Sequence, residues 1–231
     1  MTEIIPAILP SNFFELRAFL ARIRSITSFV QIDICDGVYV RSVTWPYGDS
    51  EEFKAILRGD EGLPFWEDFQ FEFDLMVLNP ENVIQDWIDV GASRIVVHNQ
   101  STHKMLSILE KLEFAGVEAG VALRVDEDVS VIEMYKEKIS FVQCMGIAEI
   151  GVQGNPFDER VLDQIVTIRE RYPELLVSVD GGVNLNTVAK LAKTGAQRLV
   201  SGSAILKAKE PREAYGTMMN RANVEGESPQ A

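Results

Sequence analysis

Three aspartates interrupt or end apolar runs that lie far apart in the chain: Asp33, Asp74 and Asp180. A carboxylic acid that faces the inside of a protein can exchange a proton with a substrate or bind a cation, because burying it alone is costly. A single acid at a strand end is as often a cap for the following turn. Asp36, directly before Gly37, fits that ordinary role. The other three acids together predict one shared site.

Glycine-rich turns follow the last two apolar runs of this kind, in VDGGVN (179–184) and VSGSAI (200–205). Small residues between a strand and a helix leave backbone N–H groups free, and these groups bind anions. Either motif alone is typical of a tight turn, whereas the pair favours a phosphate site. The residues predicted to form it are Gly181, Gly182, Gly202 and Ser203.

Two further features lie beside these motifs. The segment GIAEIGVQGN (146–155) carries Gly151 and Gly154 and either folds over a ligand or only connects two elements. Gln31 stands two residues before Asp33, so the alternation of a strand points both side chains to the same face. We therefore include Gly151 and Gly154 among the ligand-binding candidates.

The elements that must position these residues are eight short apolar runs, alternating with longer stretches of helical spacing. This pattern is typical of parallel strands covered by helices. The strands are predicted at 3–9, 29–34, 71–77, 94–99, 118–125, 141–147, 175–180 and 198–203. They predict an α/β protein, a single-domain TIM (β/α)8 barrel over 1–222, with its site where the strands end. Residues 223–231 lack an apolar period and are predicted to be disordered.

The stretch that begins NPENVIQDWID illustrates the predicted helix boundaries. Asn79 is expected to cap the helix, and Pro80 is expected to occupy its first turn, as capping preferences favour. This signal concerns the fold and not the site.

Composition limits the class of partner. A net charge of −13 in 231 residues disfavours nucleic acid and anionic membranes. No apolar stretch approaches the ~20 residues needed to cross a bilayer, and Thr2 and Glu3 do not begin a signal segment. Cys35 and Cys144 each lie in an apolar run, which favours buried thiols and a reducing compartment. We expect a cytoplasmic homo-oligomer that binds a small molecule.

The order and spacing of the motifs resemble the ribulose-phosphate 3-epimerase family over almost the whole chain. The likeness runs from IIPAILPSNFFEL through VQIDICDGVYV and FDLMVLNPENVIQDWIDVGASRIVVHNQS to VSVDGGVNLNTVAKLAKTGAQRLVSGSAIL. The resemblance implies a phosphate-binding barrel in which Asp33 and Asp180 are the acid/base pair. These acids would invert a carbon beside a ketone through an enediolate, and Met76 would form the apolar wall of the pocket.

The resemblance also implies a divalent metal held by two acids and two histidines, and here the chain departs from the family. Gln31 and Asp74 stand at the two histidine positions, and Ala7 replaces a serine that contacts substrate. One outcome is an all-oxygen site of Gln31, Asp33, Asp74 and Asp180, which favours Mg²⁺ or Mn²⁺ over Zn²⁺. The other is a site without metal, where repulsion raises the pKa of at least one acid, which then donates to an oxyanion.

The leading interpretation is an isomerase of carbohydrate metabolism, and of the pentose phosphate pathway in particular. The resemblance implies a sugar-phosphate 3-epimerase that would act on a pentulose or hexulose phosphate. The alternative is a phosphosugar-binding or regulatory protein that lost the reaction together with the histidines. A third candidate, a lyase that resembles keto-gulonate-phosphate decarboxylase, would carry an Asp-Lys-Asp motif after the third strand, and the sequence has none there.

Overall fold

The computed structural model describes residues 1–152 and 154–224, and its centre is a closed barrel of parallel strands. Each strand pairs with the next in chain order, and the eighth pairs with the first. The strands are β1 Glu3–Ile8, β2 Phe29–Cys35, β3 Gln70–Met76, β4 Arg94–His98, β5 Glu118–Leu123, β6 Phe141–Met145, β7 Leu176–Asp180 and β8 Arg198–Ser201. Every bound lies within two residues of its prediction. The single-domain TIM barrel is confirmed.

Helices cover the outside of the barrel. The α-helices are α1 Phe13–Ile23, α2 Glu51–Leu57, α3 Ile84–Asp89, α4 Met105–Ala115, α5 Arg160–Arg171, α6 Val188–Thr194, α7 Ser203–Leu206 and α8 Pro211–Asn223. Short 3-10 helices occur at Pro80–Asn82, Asn99–Ser101 and Val129–Met134. The last helix reaches the first residue of the predicted tail, and 225–231 lie outside the described residues. Within the described ranges, no helix has the length and apolarity to cross a bilayer.

The connection after β3 corrects one expectation. Asn79 has φ 52°, in the left-handed region, and its side chain makes no capping bond. Its backbone N–H instead donates to Ser101 O at 2.9 Å, in the loop after β4. This tertiary bond fixes the turn and overrides the local capping preference, so the first turn is a 3-10 helix and α3 begins at Ile84.

Aromatic packing outside the barrel holds β3, the strand that carries Asp74. Phe73, next to Asp74, points outward into a cluster with Trp87 of α3, and their ring centroids are 4.6 Å apart. Phe53 of α2 packs on Trp87 at 4.9 Å and on Trp45 at 5.5 Å. These rings are buried, and burying them fixes the backbone of β3 on the side opposite the site.

A charged layer lies inside the barrel beneath the acids. Glu118 accepts hydrogen bonds from Arg94 Nε at 2.7 Å and Arg198 Nη2 at 2.9 Å. Glu72 is fully buried, and Arg94 Nη1 lies 3.7 Å from it. Both oxygens of Glu72 have no hydrogen-bond partner within the described ranges. Burial raises the pKa of Glu72 to about 8, although the two arginines oppose this.

Both cysteines are buried and free, as predicted. Burial raises the pKa of the Cys35 and Cys144 thiols above the ordinary value. Because the thiolate is the reactive form, both side chains act as packing groups in the folded chain.

Candidate active site

A cavity of about 190 Å³ opens where the barrel strands end and the loops to the following helices begin. The strands provide Asp33, Asp180 and Met76 to its walls. The loops provide the predicted glycine and serine residues, namely Gly151, Gly154, Gly181, Gly182, Gly202 and Ser203. The structure therefore brings together residues that the sequence places up to 170 positions apart. Their individual roles stay predictions.

The three aspartates lie close together, and Asp33 and Asp180 line the cavity whereas Asp74 lies buried behind its wall. Asp33 and Asp74 are direct neighbours across β2 and β3, and Asp180 ends β7 on the other side of the barrel mouth. One carboxylate oxygen of each acid lies within 4.8 Å of the others. Asp33 is 7% exposed and Asp74 is 0% exposed. Such a cluster needs hydrogen-bond donors, protons or a cation to be stable.

Gln31 links two of these acids. Its Nε2 donates to Asp33 Oδ1 at 2.7 Å and to Asp180 Oδ2 at 2.8 Å. The Gln31 side chain thus shares a face with Asp33, as strand alternation predicts. Its Oε1 is buried without a hydrogen-bond partner among the described residues. In this structure the nitrogen of Gln31, rather than the oxygen, faces the carboxylates.

Asp74 is held by two side chains that are not among the predicted site residues, although His98 is a polar residue at the end of a predicted strand. Gln143 Nε2 donates to Asp74 Oδ2 at 3.0 Å, and His98 Nε2 lies 2.9 Å from Asp74 Oδ1. Both residues are buried in mostly apolar strands, in FVQCM of β6 and RIVVH of β4. A buried polar side chain in such a strand is the signal that could have identified them.

Burial and mutual repulsion control the protonation of the acids. Burial, followed by the charges of Asp180 and Asp74, raises the pKa of Asp33 well above its ordinary value. Burial and then the charge of Asp74 raise the pKa of Asp180 to about 7, although the Gln31 hydrogen bond opposes this. A pair in this condition holds a proton near neutral pH, so one acid can donate while the other accepts.

The loop after β7 takes a shape that requires glycine. Gly181 and Gly182 have φ of +93° and +69°, a region that side chains with a Cβ rarely adopt. A Cβ on Gly182 would meet Phe157 Cδ2 at 2.8 Å. Gly182 O accepts from Asn184 Nδ2 at 3.0 Å and from Thr187 Oγ1 at 2.7 Å. The loop is therefore fixed from behind while its glycines line the cavity.

Asp36 has the structural role that its place before Gly37 predicted. Its Oδ1 accepts from the backbone N–H of Val38 and of Tyr39, both at 2.8 Å. Its Oδ2 accepts from Leu78 N at 2.8 Å. The carboxylate ties the loop after β2 to the end of β3, and it is not part of the acid cluster.

The cluster fits a divalent cation. Asp33, Asp74 and Asp180 supply clustered carboxylate oxygens, which hard ions such as Mg²⁺ and Mn²⁺ prefer. The side chains that contact these acids are the amides of Gln31 and Gln143 and the imidazole of His98, which contacts Asp74 at 2.9 Å.

Comparisons with known proteins agree over nearly the whole chain. Residues 3–206 match the model of the ribulose-phosphate 3 epimerase family. Ribulose-phosphate 3-epimerase of Schizosaccharomyces pombe is 30% identical over 94% of this chain and 92% of that protein. Ribulose-phosphate 3-epimerase of Aquifex aeolicus is 27% identical over 91% of this chain and 92% of that protein. The solved 3-hexulose-6-phosphate synthase of Salmonella typhimurium has a TM-score of 0.72 at 16% identity, covering 96% of this chain and 98% of that one, and supports the fold alone.

Proposed function

Because the chain belongs to the ribulose-phosphate 3-epimerase family, we propose that it is a sugar-phosphate 3-epimerase acting on a pentulose or hexulose phosphate. One observation carries this proposal. The carboxylates of Asp33 and Asp180 meet at the floor of a cavity whose wall contains both glycine turns, and Gln31 joins them. An anion site beside two buried acids suits a substrate with a phosphate at one end and an acidic C–H bond near the other.

The substrate phosphate binds at the turns after β7 and β8. The predicted contacts are Gly181, Gly182, Gly202 and Ser203, all of which line the cavity. From this end the sugar extends toward the acids, where Met76 forms an apolar wall and orients the chain of carbons. The loop with Gly151 and Gly154 borders the same cavity, and we propose that it covers the bound sugar and excludes water.

Proton transfer occurs between the two acids and C3, the carbon next to the ketone. One of Asp33 and Asp180, in its ionised form, removes the C3 proton and leaves an enediolate. The other acid, in its protonated form, returns a proton to the opposite face and thereby inverts the centre. The raised pKa values of both acids support this division of roles, since fully ionised acids would have no proton to return.

The enediolate carries negative charge that the site must stabilise. A divalent cation held by Asp33, Asp74 and Asp180, with Mg²⁺ or Mn²⁺ favoured, would supply electrostatic stabilisation of those oxygens when bound. Asp74 is kept in place for this role by Gln143 and His98. Without a cation, the protonated acid of the pair donates a hydrogen bond to the oxyanion.

The test follows deuterium at C3 in D₂O with ribulose 5-phosphate and with its C3 epimer, xylulose 5-phosphate. Each assay is run without metal and with Mg²⁺, Mn²⁺ or Zn²⁺. Asp33→Asn and Asp180→Asn should each lower interconversion at least about 100-fold. Because each acid faces one epimer's proton, each variant should retain exchange with at most one epimer, and a different one.

The control is Asp60→Asn, which removes an exposed acid that pairs with Arg58 at the surface. Its activity should equal that of the parent chain. Interconversion that survives both active-site variants would refute the assigned roles. Binding of both sugar phosphates without any exchange, with every cation, would instead assign the phosphosugar-binding or regulatory alternative.

Assembly and location also stay predictions. We propose a homo-oligomer in the cytoplasm that binds neither nucleic acid nor membranes, in keeping with its net charge of −13. Light scattering of the purified chain gives the number of copies in the assembly, and the mass of a monomer would contradict the proposed homo-oligomer.

A further inference from the structure

We propose that the Gln31 side chain and a divalent cation compete for the same two carboxylates, so that Gln31 weakens cation binding to this chain. The inference rests on the acid cluster of the proposed function, but not on the identity of the substrate. Gln31 is fully buried, and its Nε2 lies 2.7 Å from Asp33 Oδ1 and 2.8 Å from Asp180 Oδ2.

The position of the amide nitrogen is the first reason. A cation ligated by both Asp33 and Asp180 needs the space between their carboxylates, and Gln31 Nε2 lies there. An amide NH₂ group has donors but no lone pair to offer a cation. Its hydrogens carry partial positive charge, which a cation would repel. The amide must therefore leave the two acids before a cation can bind to both.

The environment of the amide oxygen is the second reason. Gln31 could act as a ligand only if the amide turned over and presented Oε1 to the cation. That rotation would give up two hydrogen bonds to carboxylates, which are stronger than hydrogen bonds between neutral groups. It would also move the NH₂ group to a buried place where Oε1 now has no partner among the described residues. The structure therefore favours loss of the amide bridge over exchange of nitrogen for oxygen.

Gln31 differs in this respect from the other donors of the cluster. Of the three acids, Gln143 and His98 each contact Asp74 and neither of the other two within the described residues, so a cation could use the remaining lone pairs of Asp74. Among the residues that the structure describes, Gln31 is the side chain that bridges two acids from separate strands, β2 and β7. Its removal should free both acids for a cation, while Asp74 stays in position.

The experiment measures Mn²⁺ binding to the purified full chain at pH 8, by the electron paramagnetic resonance signal of free Mn²⁺ and without any sugar phosphate. Gln31→Met keeps the length of the side chain but removes its N–H donors. It should bind Mn²⁺ at least about tenfold more tightly than the parent chain, because the cation no longer displaces two charge-assisted hydrogen bonds. Gln31→Ala, which is smaller, should change binding in the same direction.

The matched control is Gln164→Met. Gln164 is another buried glutamine, whose Nε2 donates to Arg124 O at 2.9 Å and whose Oε1 also has no partner among the described residues. It lies outside the acid cluster, so its replacement should leave Mn²⁺ affinity unchanged. A second readout uses the parent chain alone. The NMR signals of the Gln31 side-chain amide should move when Mg²⁺ saturates the site, because their acceptors are lost.

Three results would overturn the proposal. Weaker Mn²⁺ binding in Gln31→Met would identify the amide oxygen as a ligand. Equal binding, or no detectable binding to either Gln31 variant, would show that the amide does not control the site. Since no substrate is present, these outcomes are independent of the exchange assay, and failure of one proposal is distinguishable from failure of the other.

Discussion

Glu72 is the buried acid whose protonation should control the pH dependence of stability. It lies on β3 two residues before Asp74, it is 0% exposed, and Arg94 Nη1 lies 3.7 Å away. Neither of its oxygens has a hydrogen-bond partner within the part of the chain that the structure describes. Burial raises its pKa from 4.5 to about 8. Glu72→Gln keeps the size and shape of the neutral acid and has no proton to lose.

The raised pKa of Glu72 determines whether stability rises or falls with pH. Between pH 4.5 and about 8 the unfolded chain releases this proton while the folded chain retains it. The free energy of unfolding therefore falls as pH rises through this range and changes no further above it. At about 1.4 kcal/mol for each pH unit, the full loss is about 5 kcal/mol, of which about 3 to 4 kcal/mol falls between pH 5 and pH 8. Glu72→Gln should not show this loss.

The assay is urea unfolding at pH 5, 6, 7 and 8, followed by tryptophan fluorescence. The difference in unfolding free energy between Glu72→Gln and the parent chain should grow with pH by about 3 to 4 kcal/mol. Glu118→Gln is the contrasting control. Burial acts to raise the pKa of Glu118, but hydrogen bonds from Arg198 and Arg94 lower it below its ordinary value. That variant should be less stable by a nearly constant amount across this range. Parallel curves for Glu72→Gln and the parent would refute the reasoning and show that the arginines keep Glu72 ionised.

Two further substitutions separate chemistry from structure. Asp36→Ala should lower the free energy of unfolding by about 1 to 3 kcal/mol through its three lost backbone hydrogen bonds. Its kcat/KM should stay within about tenfold of the parent value, whereas Asp33→Ala should lose at least about 100-fold; equal losses would contradict this assignment. Gly182→Ala should raise KM and weaken inhibition by inorganic phosphate at least about tenfold, because its Cβ would meet Phe157 at 2.8 Å with φ at +69°. Gly216→Ala, in open space on α8, should leave both unchanged, and normal phosphate inhibition in Gly182→Ala would exclude that turn from the phosphate site.

The strands could be predicted from the sequence because their determinants are local. A short β-branched apolar run such as IVV in β4 favours a strand that is buried on both sides in a parallel barrel. Helix boundaries depend more on distant contacts. Asn79 has the side chain of a helix cap, yet a backbone bond to Ser101 from another loop determines its conformation.

The site was predictable where a motif marks the end of a strand, as in the glycine turns after β7 and β8, and where strand alternation decides the direction of a side chain. Asp33 and Gln31 share a face for that reason, and the register of β2 and β3 brings Asp74 beside Asp33. The contacts of Gln143 and His98 with Asp74 depend on how side chains from β6 and β4 reach across the barrel. That depends on the tilt and closure of the barrel, which no local pattern encodes.

The direction of the Gln31 amide has a consequence for how the acids are stabilised. Three carboxylates within 4.8 Å repel one another unless positive charge, protons or N–H groups compensate. Gln31 and Gln143 supply N–H groups from β2 and β6, and the raised pKa of Asp180 supplies a retained proton near pH 7. The folded cluster is thus compensated by its own protein groups, and a cation must displace the Gln31 bridge and that proton together. Cation affinity should therefore depend on both the Gln31 amide and pH, whereas the phosphate turns on β7 and β8 should bind anions independently of either.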